Sequence, residues 1–259
     1  MARVRLDTLL AERGLFGSRS RAAASVMAGE VLVGPERRRI DKPGHMVADD
    51  VMVAVDEAPD YVSRGGTKLA NALDALDVEV AGRRALDVGA STGGFTDVLL
   101  RRGAAHVIAL DVAYGELHWT LRNDDRVTVI ERTNARAIAP ADLPYAPDLI
   151  VVDVSFISLK KVLPAVLECA SAGGSRRPHV GPEAGPSSQS FDCLAMVKPQ
   201  FEVGRENVGR GVVHDPALRR EAIDGVVEAV TALGFEIAGE AESGLPGPKG
   251  NIETFLWIR

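Results

Sequence analysis

The chain has little cysteine, and this absence excludes a disulfide framework or a cysteine-based metal site. Of its 259 residues only Cys169 and Cys193 are cysteines, and their spacing does not match that of metal-binding pairs. Both lie in apolar segments, which favours buried, reduced thiols. The five histidines are scattered and form no ligand set. The sequence therefore predicts no metal centre.

The chain also lacks a long apolar run and an N-terminal signal. No stretch approaches the roughly 18 consecutive apolar residues that a membrane-spanning helix needs. The segment that starts at Met1 has no apolar signal region and soon reaches Asp7 and Glu12. We therefore expect a cytoplasmic protein with no membrane partner.

Positive charge is scarce overall but concentrated near the start. The formal net charge of −6 argues weakly against a nucleic-acid partner. However, residues 1–42 contain nine Lys or Arg against five Asp or Glu, a net charge of +4, and residues 43–60 contain five acids and no Lys or Arg. Because local charge is what meets phosphate, the first segment remains a candidate for RNA contact.

Residues 1–57 have the pattern of a small α/β module. A first helix is predicted to stop at Gly14, and a second is predicted over residues 19–28. Short β-like runs follow at 31–33 and 51–55, with a basic loop between them.

Four motifs in this segment resemble the S4 RNA-binding domain. They are Arg5-Leu6-Asp7-x-Leu9-Leu10-x-x-Arg13-Gly14, Ser18-Arg19-x-x-Ala22, Gly29-x-Val31-x-Val33 and Lys42-Pro43. The resemblance implies that the cations of this segment contact structured RNA: Arg5, Arg13, Arg19, Arg21, Arg37, Arg38, Arg39 and Lys42. For any one of them a solvated helix face is the simpler interpretation, but the ordered set favours RNA binding.

After a short linker at 58–62, residues 63–259 alternate apolar strands with helices. The predicted strands are Ala85–Val88, His106–Asp111, Val127–Glu131, Asp148–Asp153, Asp192–Val197, Phe235–Ala238 and Phe255–Ile258, and helices are predicted at Phe95–Arg102 and Leu159–Ala170. The pattern predicts a Rossmann-like α/β domain, with a mainly parallel sheet and helices on both faces. Asp215-Pro216 has the form of a helix start. Residues 171–190, rich in Gly, Ser and Pro, are predicted to be a flexible insertion.

Ligands in such folds bind at the carboxyl ends of the strands, where Asp87, Asp111, Asp153 and Lys198 fall. Asp87 opens a glycine-rich strand–turn–helix segment that departs from the dinucleotide pattern G-x-G-x-x-G, because Ser91 occupies the second glycine site. This segment fits S-adenosylmethionine, bound through its methionyl end. The candidate cofactor-binding residues are Asp87, Gly89, Ala90, Ser91, Gly93, Gly94, Phe95, Asp111 and Asn134.

Two of these candidates have an alternative interpretation. Asp111 either accepts hydrogen bonds from ribose hydroxyls or caps a turn. Asn134 either faces the adenine edge or is a simple turn residue.

Five stretches extend a resemblance over nearly the whole chain. They are Val62-Ser63-Arg64-Gly65-Gly66-Thr67-Lys68-Leu69, Gly89-Ala90-Ser91-Thr92-Gly93-Gly94-Phe95-Thr96, Asp153-Val154-Ser155-Phe156-Ile157-Ser158-Leu159, Val197-Lys198-Pro199-Gln200-Phe201-Glu202 and Pro246-Gly247-Pro248-Lys249-Gly250-Asn251-Ile252-Glu253. They resemble the TlyA/haemolysin A family of ribosomal RNA cytidine-2′-O-methyltransferases. The resemblance implies S-adenosylmethionine as cofactor, ribosomal RNA or ribosomal subunits as partner, and a catalytic tetrad formed by Lys68, Asp153, Lys198 and Glu253.

Methyl transfer to a ribose hydroxyl requires the hydroxyl to be held in line with the methyl group and its proton to be removed, without any metal. By analogy with the family, Lys198 is the base, Asp153 lies near the methyl group and Lys198, and Glu253 and Lys68 orient the hydroxyl. For any one of the four taken alone, a surface charge or a structural ion pair is the favoured interpretation.

Phe156 and Phe201 either stack on a base or pack against the protein. Two stretches depart from the family: Pro59-Asp60-Tyr61-Val62 stands where an arginine and a tryptophan are expected, and the 171–190 insertion is longer. Two other functions stay open, a non-catalytic RNA-binding or ribosome-assembly protein and a membrane-lytic haemolysin.

Overall fold

The computed structural model describes residues 3–27, 31–55, 61–171, 191–204, 207–209, 211–247 and 249–259. Residues 172–190 of the predicted insertion and residues 58–60 of the predicted linker lie outside this set. Contacts divide the chain into two units, Met1–Asp60 and Tyr61–Arg259. Tyr61 and Val62, at the end of the predicted linker, pack against a core cluster of the second unit.

The described residues of the N-terminal unit form two helices and five short strands. They are β1 (Arg3–Arg5), α1 (Leu6–Glu12), α2 (Arg19–Met27), β2 (Val31–Val33), β3 (Arg38–Arg39), β4 (Met46–Ala48) and β5 (Val53–Val55). β1 pairs with β4, and β2 lies between β3 and β5. Leu6, Leu10 and Val26 are fully buried in its core. Both predicted helices and the strands at 31–33 and 53–55 are present.

The second unit alternates strands and helices through most of its length. They are α3 (Arg64–Leu76), β6 (Arg84–Val88), α4 (Gly94–Arg101), β7 (His106–Leu110), α5 (Trp119–Arg122), β8 (Val127–Ile130), β9 (Leu149–Val152), α6 (Leu163–Ser171), β10 (Asp192–Val197), α7 (Pro199–Glu202), α8 (Pro216–Ala232), β11 (Ile237–Glu242) and β12 (Thr254–Ile258). Short 3₁₀ helices cover Ala135–Ala137, Pro140–Asp142 and Leu159–Lys161.

The strands form a seven-stranded sheet in the order β11-β12-β10-β9-β6-β7-β8. Neighbouring strands from β10 to β8 are parallel, whereas β12 runs antiparallel to both β10 and β11. The predicted mainly parallel sheet is therefore confirmed. Strand order reverses around β6, which creates the crevice in which α/β folds bind ligands.

Helices cover both faces of this sheet, as predicted. Successive residues of β6 point to opposite faces, so Leu86 joins a core cluster with α6 and α8, and Ala85 joins one with α3 and α4. Cys169 and Cys193 are both buried and free, as expected.

Several elements differ from the sequence prediction. β1, β3, β4, α5 and α7 are short elements that were not predicted. α3 was not predicted. The strand expected at Phe235–Ala238 was misplaced: β11 covers Ile237–Glu242, because it pairs with β12 until Glu242 meets Thr254. The helix expected at Leu159–Ala170 is a 3₁₀ turn followed by α6, since Pro164 has no N–H with which to continue a helix from the turn before it.

Candidate active site

The sheet brings three of the four tetrad candidates to one edge. Asp153 directly follows β9 and Lys198 directly follows β10, so both lie at the carboxyl edge of the parallel strands. Because β12 is antiparallel, its first residue, Thr254, pairs with Val197 at this same edge. Glu253, which precedes Thr254, is thus next to Lys198 on a strand about 4.8 Å away.

Lys198 and Asp153 form an ion pair. The Lys198 Nζ lies 2.5 Å from Asp153 Oδ1, and the side chains are 12% and 25% exposed. The same Nζ donates a hydrogen bond to Ser155 Oγ at 2.8 Å. Sequence reasoning gave Ser155 no role, although it lies within the stretch that contains Asp153. Asp153 and Ser155 together fix the direction of the Lys198 amine.

Lys68 and Glu253 form a second, deeper ion pair. The Lys68 Nζ donates to Glu253 Oε2, and the two side chains are 8% and 2% exposed. Lys68 reaches this position because it lies in the second turn of α3. The structure therefore brings all four predicted catalytic residues together as two ion pairs.

Glycines allow α3 to pack tightly against the start of α4. A Cβ at Gly94 would lie 2.2 Å from Ser63 Oγ and 2.9 Å from the backbone N of Gly66. A Cβ at Gly66 would lie 2.4 Å from the Cβ of Tyr61. The helix that contains Lys68 is thus in direct contact with the glycine-rich turn that precedes α4.

The glycine-rich turn also lies against the carboxyl edge of the parallel strands. Gly89 has φ +86°, and a Cβ there would lie 2.3 Å from the Asp153 carbonyl oxygen. Gly93 has φ +97°, and its Cβ would lie 2.3 Å from Leu121 Cδ1. These glycines are required by backbone conformation and by packing inside the protein. Ser91, between them, also has a positive φ, +48°.

Asp111 holds the turn from the side of β7. Its Oδ2 accepts the Ser91 amide and its Oδ1 accepts the Ala113 amide, each at 2.7 Å. Asn134 Oδ1 accepts the Arg136 amide at 3.1 Å and caps a 3₁₀ helix. Both residues make the local contacts expected of turn residues, and ligand contact stays a prediction for them.

Three of the predicted cofactor-binding residues, in or next to the turn, have buried side chains. Ala90 and Phe95 are buried, and the Phe95 ring lies 5.9 Å from that of Phe255. Asp87 is fully buried, and its Oδ2 accepts the Thr96 hydroxyl at 2.6 Å. Burial, followed by the nearby charge of Asp153, raises the pKa of Asp87 to about 7, against the pull of the Thr96 hydrogen bond. Asp87 Oδ1 is buried and finds no hydrogen-bond partner among the residues that the structure describes.

An exposed aromatic ring stands beside the Lys198 pair. Phe156 is 92% exposed and has φ +64°, a conformation that is strained for a bulky residue. Its ring centroid lies 5.3 Å from that of Phe201. Phe156 therefore does not belong to the core.

The predicted RNA-binding cations of the N-terminal unit fall into two groups. Arg5 and Arg19 both pair with Asp7, which is buried, and hydrogen bonding from Arg5 lowers the pKa of Asp7 to about 2. Arg13 donates to the carbonyl oxygens of Asp49 and Val51, so it stabilises the unit itself. The second group, like the first, is exposed and comprises Arg21, Arg37, Arg38, Arg39 and Lys42.

Comparisons with known proteins agree with this geometry. A family model described as FtsJ-like methyltransferase matches residues 61–259. The chain belongs to the FtsJ-like methyltransferase family. A second family model, the S4 domain, matches residues 4–50. This methyltransferase therefore contains an S4 domain, as the sequence motifs predicted.

Relatives extend the likeness to both units. A 16S/23S rRNA (cytidine-2′-O)-methyltransferase TlyA of Mycobacterium tuberculosis is 48% identical over 99% of this chain and 90% of its own length. Hemolysin A of Brachyspira hyodysenteriae is 35% identical over 96% of this chain and 97% of its own length. A solved structure described as a hemolysin from Streptococcus thermophilus has a TM-score of 0.71 and 37% identity, and covers 100% of this chain and 88% of its own.

Within the described residues, no helix is both long and apolar enough to cross a membrane. The same residues contain no cluster of three or more His, Cys, Asp or Glu side chains that could hold a metal ion.

Proposed function

We propose that this FtsJ-like enzyme methylates the 2′-hydroxyl of cytidine in ribosomal RNA, with S-adenosylmethionine as methyl donor and Lys68, Asp153, Lys198 and Glu253 as its tetrad. The observation that carries the proposal is the meeting of two Lys–carboxylate pairs, Lys198–Asp153 and Lys68–Glu253, at the sheet edge beside the glycine-rich turn. The relative from M. tuberculosis, by its name, acts on cytidine 2′-hydroxyls of 16S and 23S rRNA.

The turn and its surroundings fit a nucleoside cofactor. Asp87 Oδ1 is a buried carboxyl oxygen without a partner, so it would gain one from an ammonium donor. Asp111 is only partly buried, and each of its oxygens accepts a hydrogen bond from one backbone amide, which leaves acceptor capacity for ribose hydroxyls. The bound cofactor would supply an activated methyl group on its sulfonium.

The chain's own residues would handle the hydroxyl and its proton. Lys198 Nζ, in its amine form, accepts the proton of the 2′-hydroxyl, while Asp153 and Ser155 keep that nitrogen oriented. The buried Lys68–Glu253 pair fixes the neighbouring wall of the site, and its charges hold the hydroxyl in place. No metal takes part in this scheme.

The S4 unit would supply RNA affinity. Its exposed cations, including Arg21, Arg38 and Lys42, present positive charge to phosphate. Asp7 holds the guanidinium groups of Arg5 and Arg19 in fixed positions, which favours a preformed contact surface. Since ribosomal particles would be the partner, we expect the protein to act in the cytoplasm.

The proposal is tested by transfer of tritiated methyl groups to isolated 30S and 50S particles, followed by nuclease mapping. The expected product is label on the ribose of cytidine. Lys198→Ala is expected to lose at least about 100-fold in rate, within the usual contribution of a general base. Lys161→Ala, an exposed lysine outside the site, is the matched control.

Cofactor affinity, measured by calorimetry, should be unchanged in Lys198→Ala, which shows that the variant is folded. Label on a base instead of a ribose, or full activity in Lys198→Ala, would contradict the proposed chemistry. RNA binding without any methyl transfer would favour the assembly-protein alternative. Leakage of liposomes, also without methyl transfer, would favour the lytic one.

A further inference from the structure

The loop of residues 153–159 joins β9 to the following 3₁₀ helix and includes Leu159, the first residue of that helix. It is held along its length by α7 and by Lys198, which directly precedes α7. Near its start, Lys198 forms an ion pair with Asp153 and donates a hydrogen bond to Ser155. At its middle, the Phe156 ring contacts Phe201. At its end, the carboxylate of Glu202 accepts two hydrogen bonds. Loop 153–159 therefore presents catalytic groups on one side while α7 anchors it on the other.

Glu202 makes the last of these contacts with both of its oxygens. The Ser158 hydroxyl donates to Oε2 at 2.6 Å, and the Leu159 amide donates to Oε1 at 2.7 Å. Burial raises the pKa of Glu202, while the two hydrogen bonds and Lys160 act in the opposite direction. A partly buried carboxylate with both oxygens bonded to one loop differs from a solvated surface charge.

Loop 153–159 needs such an anchor because of the conformation of Phe156. A left-handed conformation costs a residue with a side chain about 1–2 kcal/mol, so it persists only where the surroundings impose it. The ring of Phe156 is 92% exposed, so core packing does not impose it. Its neighbours Val154 and Ile157 pack against a core cluster, and Lys198, Phe201 and Glu202 add polar and aromatic contacts to the loop.

We propose that Glu202 is a positioning residue for methyl transfer: it fixes the end of loop 153–159 so that Ser155 holds Lys198 and Phe156 stays in its exposed conformation. This inference rests on the proposed function, since Lys198 is the base there. Glu202 touches neither the reacting atoms nor the cofactor turn, and it acts through the loop.

The variants separate anchoring from charge. Glu202→Ala removes both acceptors. Glu202→Gln removes the charge but keeps both bonds, because its oxygen can accept the Leu159 amide and its NH₂ can donate to the Ser158 hydroxyl. Ser158→Ala removes one of the two bonds to Glu202, together with the bond that the Ser158 hydroxyl accepts from the Lys160 amide, and leaves Glu202 in place. It covers the case in which Glu202→Ala does not fold. Glu221→Ala, an exposed glutamate on α8, is the matched control.

Three readouts are measured on the full-length protein. Single-turnover methyl transfer at saturating cofactor and ribosomal particles should slow by about tenfold or more in Glu202→Ala, equivalent to about 1.4 kcal/mol. Cofactor affinity should stay within roughly twofold, because the turn is not altered. Amide hydrogen exchange of residues 154–160 should accelerate in Glu202→Ala. Ser158→Ala should show smaller effects of the same kind, and Glu202→Gln and Glu221→Ala should match the wild type.

Each result decides the question. Equal rate losses in Glu202→Gln and Glu202→Ala would assign the effect to charge and overturn the proposal. Unchanged exchange of residues 154–160 in Glu202→Ala would also overturn it, as would a loss of cofactor affinity as large as the loss in rate. If the wild type methylates no ribosomal particle, the proposed function fails, whereas faster exchange confined to Glu202→Ala and Ser158→Ala would still support the anchor.

Discussion

Removing one partner of the buried Lys68–Glu253 pair should cost more than removing both. Lys68→Met keeps the apolar stem but leaves the Glu253 carboxylate, 2% exposed, without its cation. Breaking a buried ion pair in this way typically costs about 3–5 kcal/mol. Glu253→Gln, which leaves the Lys68 ammonium buried, should cost a similar amount.

The double variant Lys68→Met/Glu253→Gln leaves no buried charge at this pair. Its remaining cost is that of an amide that lacks a partner, about 1–3 kcal/mol. It should therefore be more stable than either single variant, and the coupling energy should be several kcal/mol. This comparison does not depend on activity, so it measures the ion pair apart from any chemical role.

Urea unfolding followed by tryptophan fluorescence is the suitable assay. The two tryptophans of the chain, Trp119 and Trp257, both lie in the second unit, so the signal reports that unit alone. Equal m-values in all four proteins would show that the same transition is compared. Single variants within about 0.5 kcal/mol of the wild type would refute the reasoning, as would a double variant whose loss equals the sum of the singles. The double variant should still fail to transfer methyl groups if the pair orients the hydroxyl.

Three further predictions concern the turn, the buried acid beneath it and the S4 unit. Gly89→Ala should destabilise the protein by at least about 1 kcal/mol more than Gly82→Ala in urea unfolding. Both glycines have positive φ, but a Cβ at Gly82 meets nothing within 4 Å, whereas one at Gly89 meets a backbone oxygen. Equal losses would contradict this. The pKa of Asp87 is raised to about 7, so its contribution to stability is present at low pH and is lost as pH rises through 7. The free energy of unfolding should therefore fall by about 2–3 kcal/mol more between pH 5 and 8 in the wild type than in Asp87→Asn. The pKa of Asp7 is lowered to about 2, so its contribution is present above pH 4 and is lost as pH falls towards 2. Asp7→Asn should lower the free energy of unfolding of the S4 unit by about 1 kcal/mol at pH 7, a modest amount because its partner Arg5 is half-exposed. Hydrogen exchange of residues 3–27 would measure this loss, and unchanged exchange would contradict the prediction.

The sheet was predictable because its strands are short apolar runs separated by helical segments. The same runs located Asp111 and Asp153, each one residue beyond a strand end in the structure. Asp215 and Pro216 predicted the start of α8 from local sequence alone. The Asp215 side chain accepts a hydrogen bond from the Ala217 amide and so caps the helix. Local signals of these kinds do not depend on the rest of the fold.

α3 escaped prediction because its first turn contains Gly65 and Gly66, which usually indicate a loop. The glycines are present for another reason, the close packing of α3 on the start of α4. Ser155 and Glu202 also gave no signal, because a single polar side chain has no periodicity. Their importance rests on hydrogen bonds to Lys198 and to Ser158, which are tertiary contacts.

The antiparallel direction of β12 decides whether the four scattered residues form one site. If β12 ran parallel to β10, its first residue would lie at the amino edge of the sheet, and Glu253 would be a full strand length, about 17 Å, away from Lys198. Lys68 would then be a buried cation without a partner, which is untenable at 8% exposure. An apolar run such as Thr254–Ile258 has the same pattern in either direction, so the sequence alone leaves this open. The Lys68–Glu253 pair is therefore both part of the proposed catalytic group and the contact that only one strand direction allows.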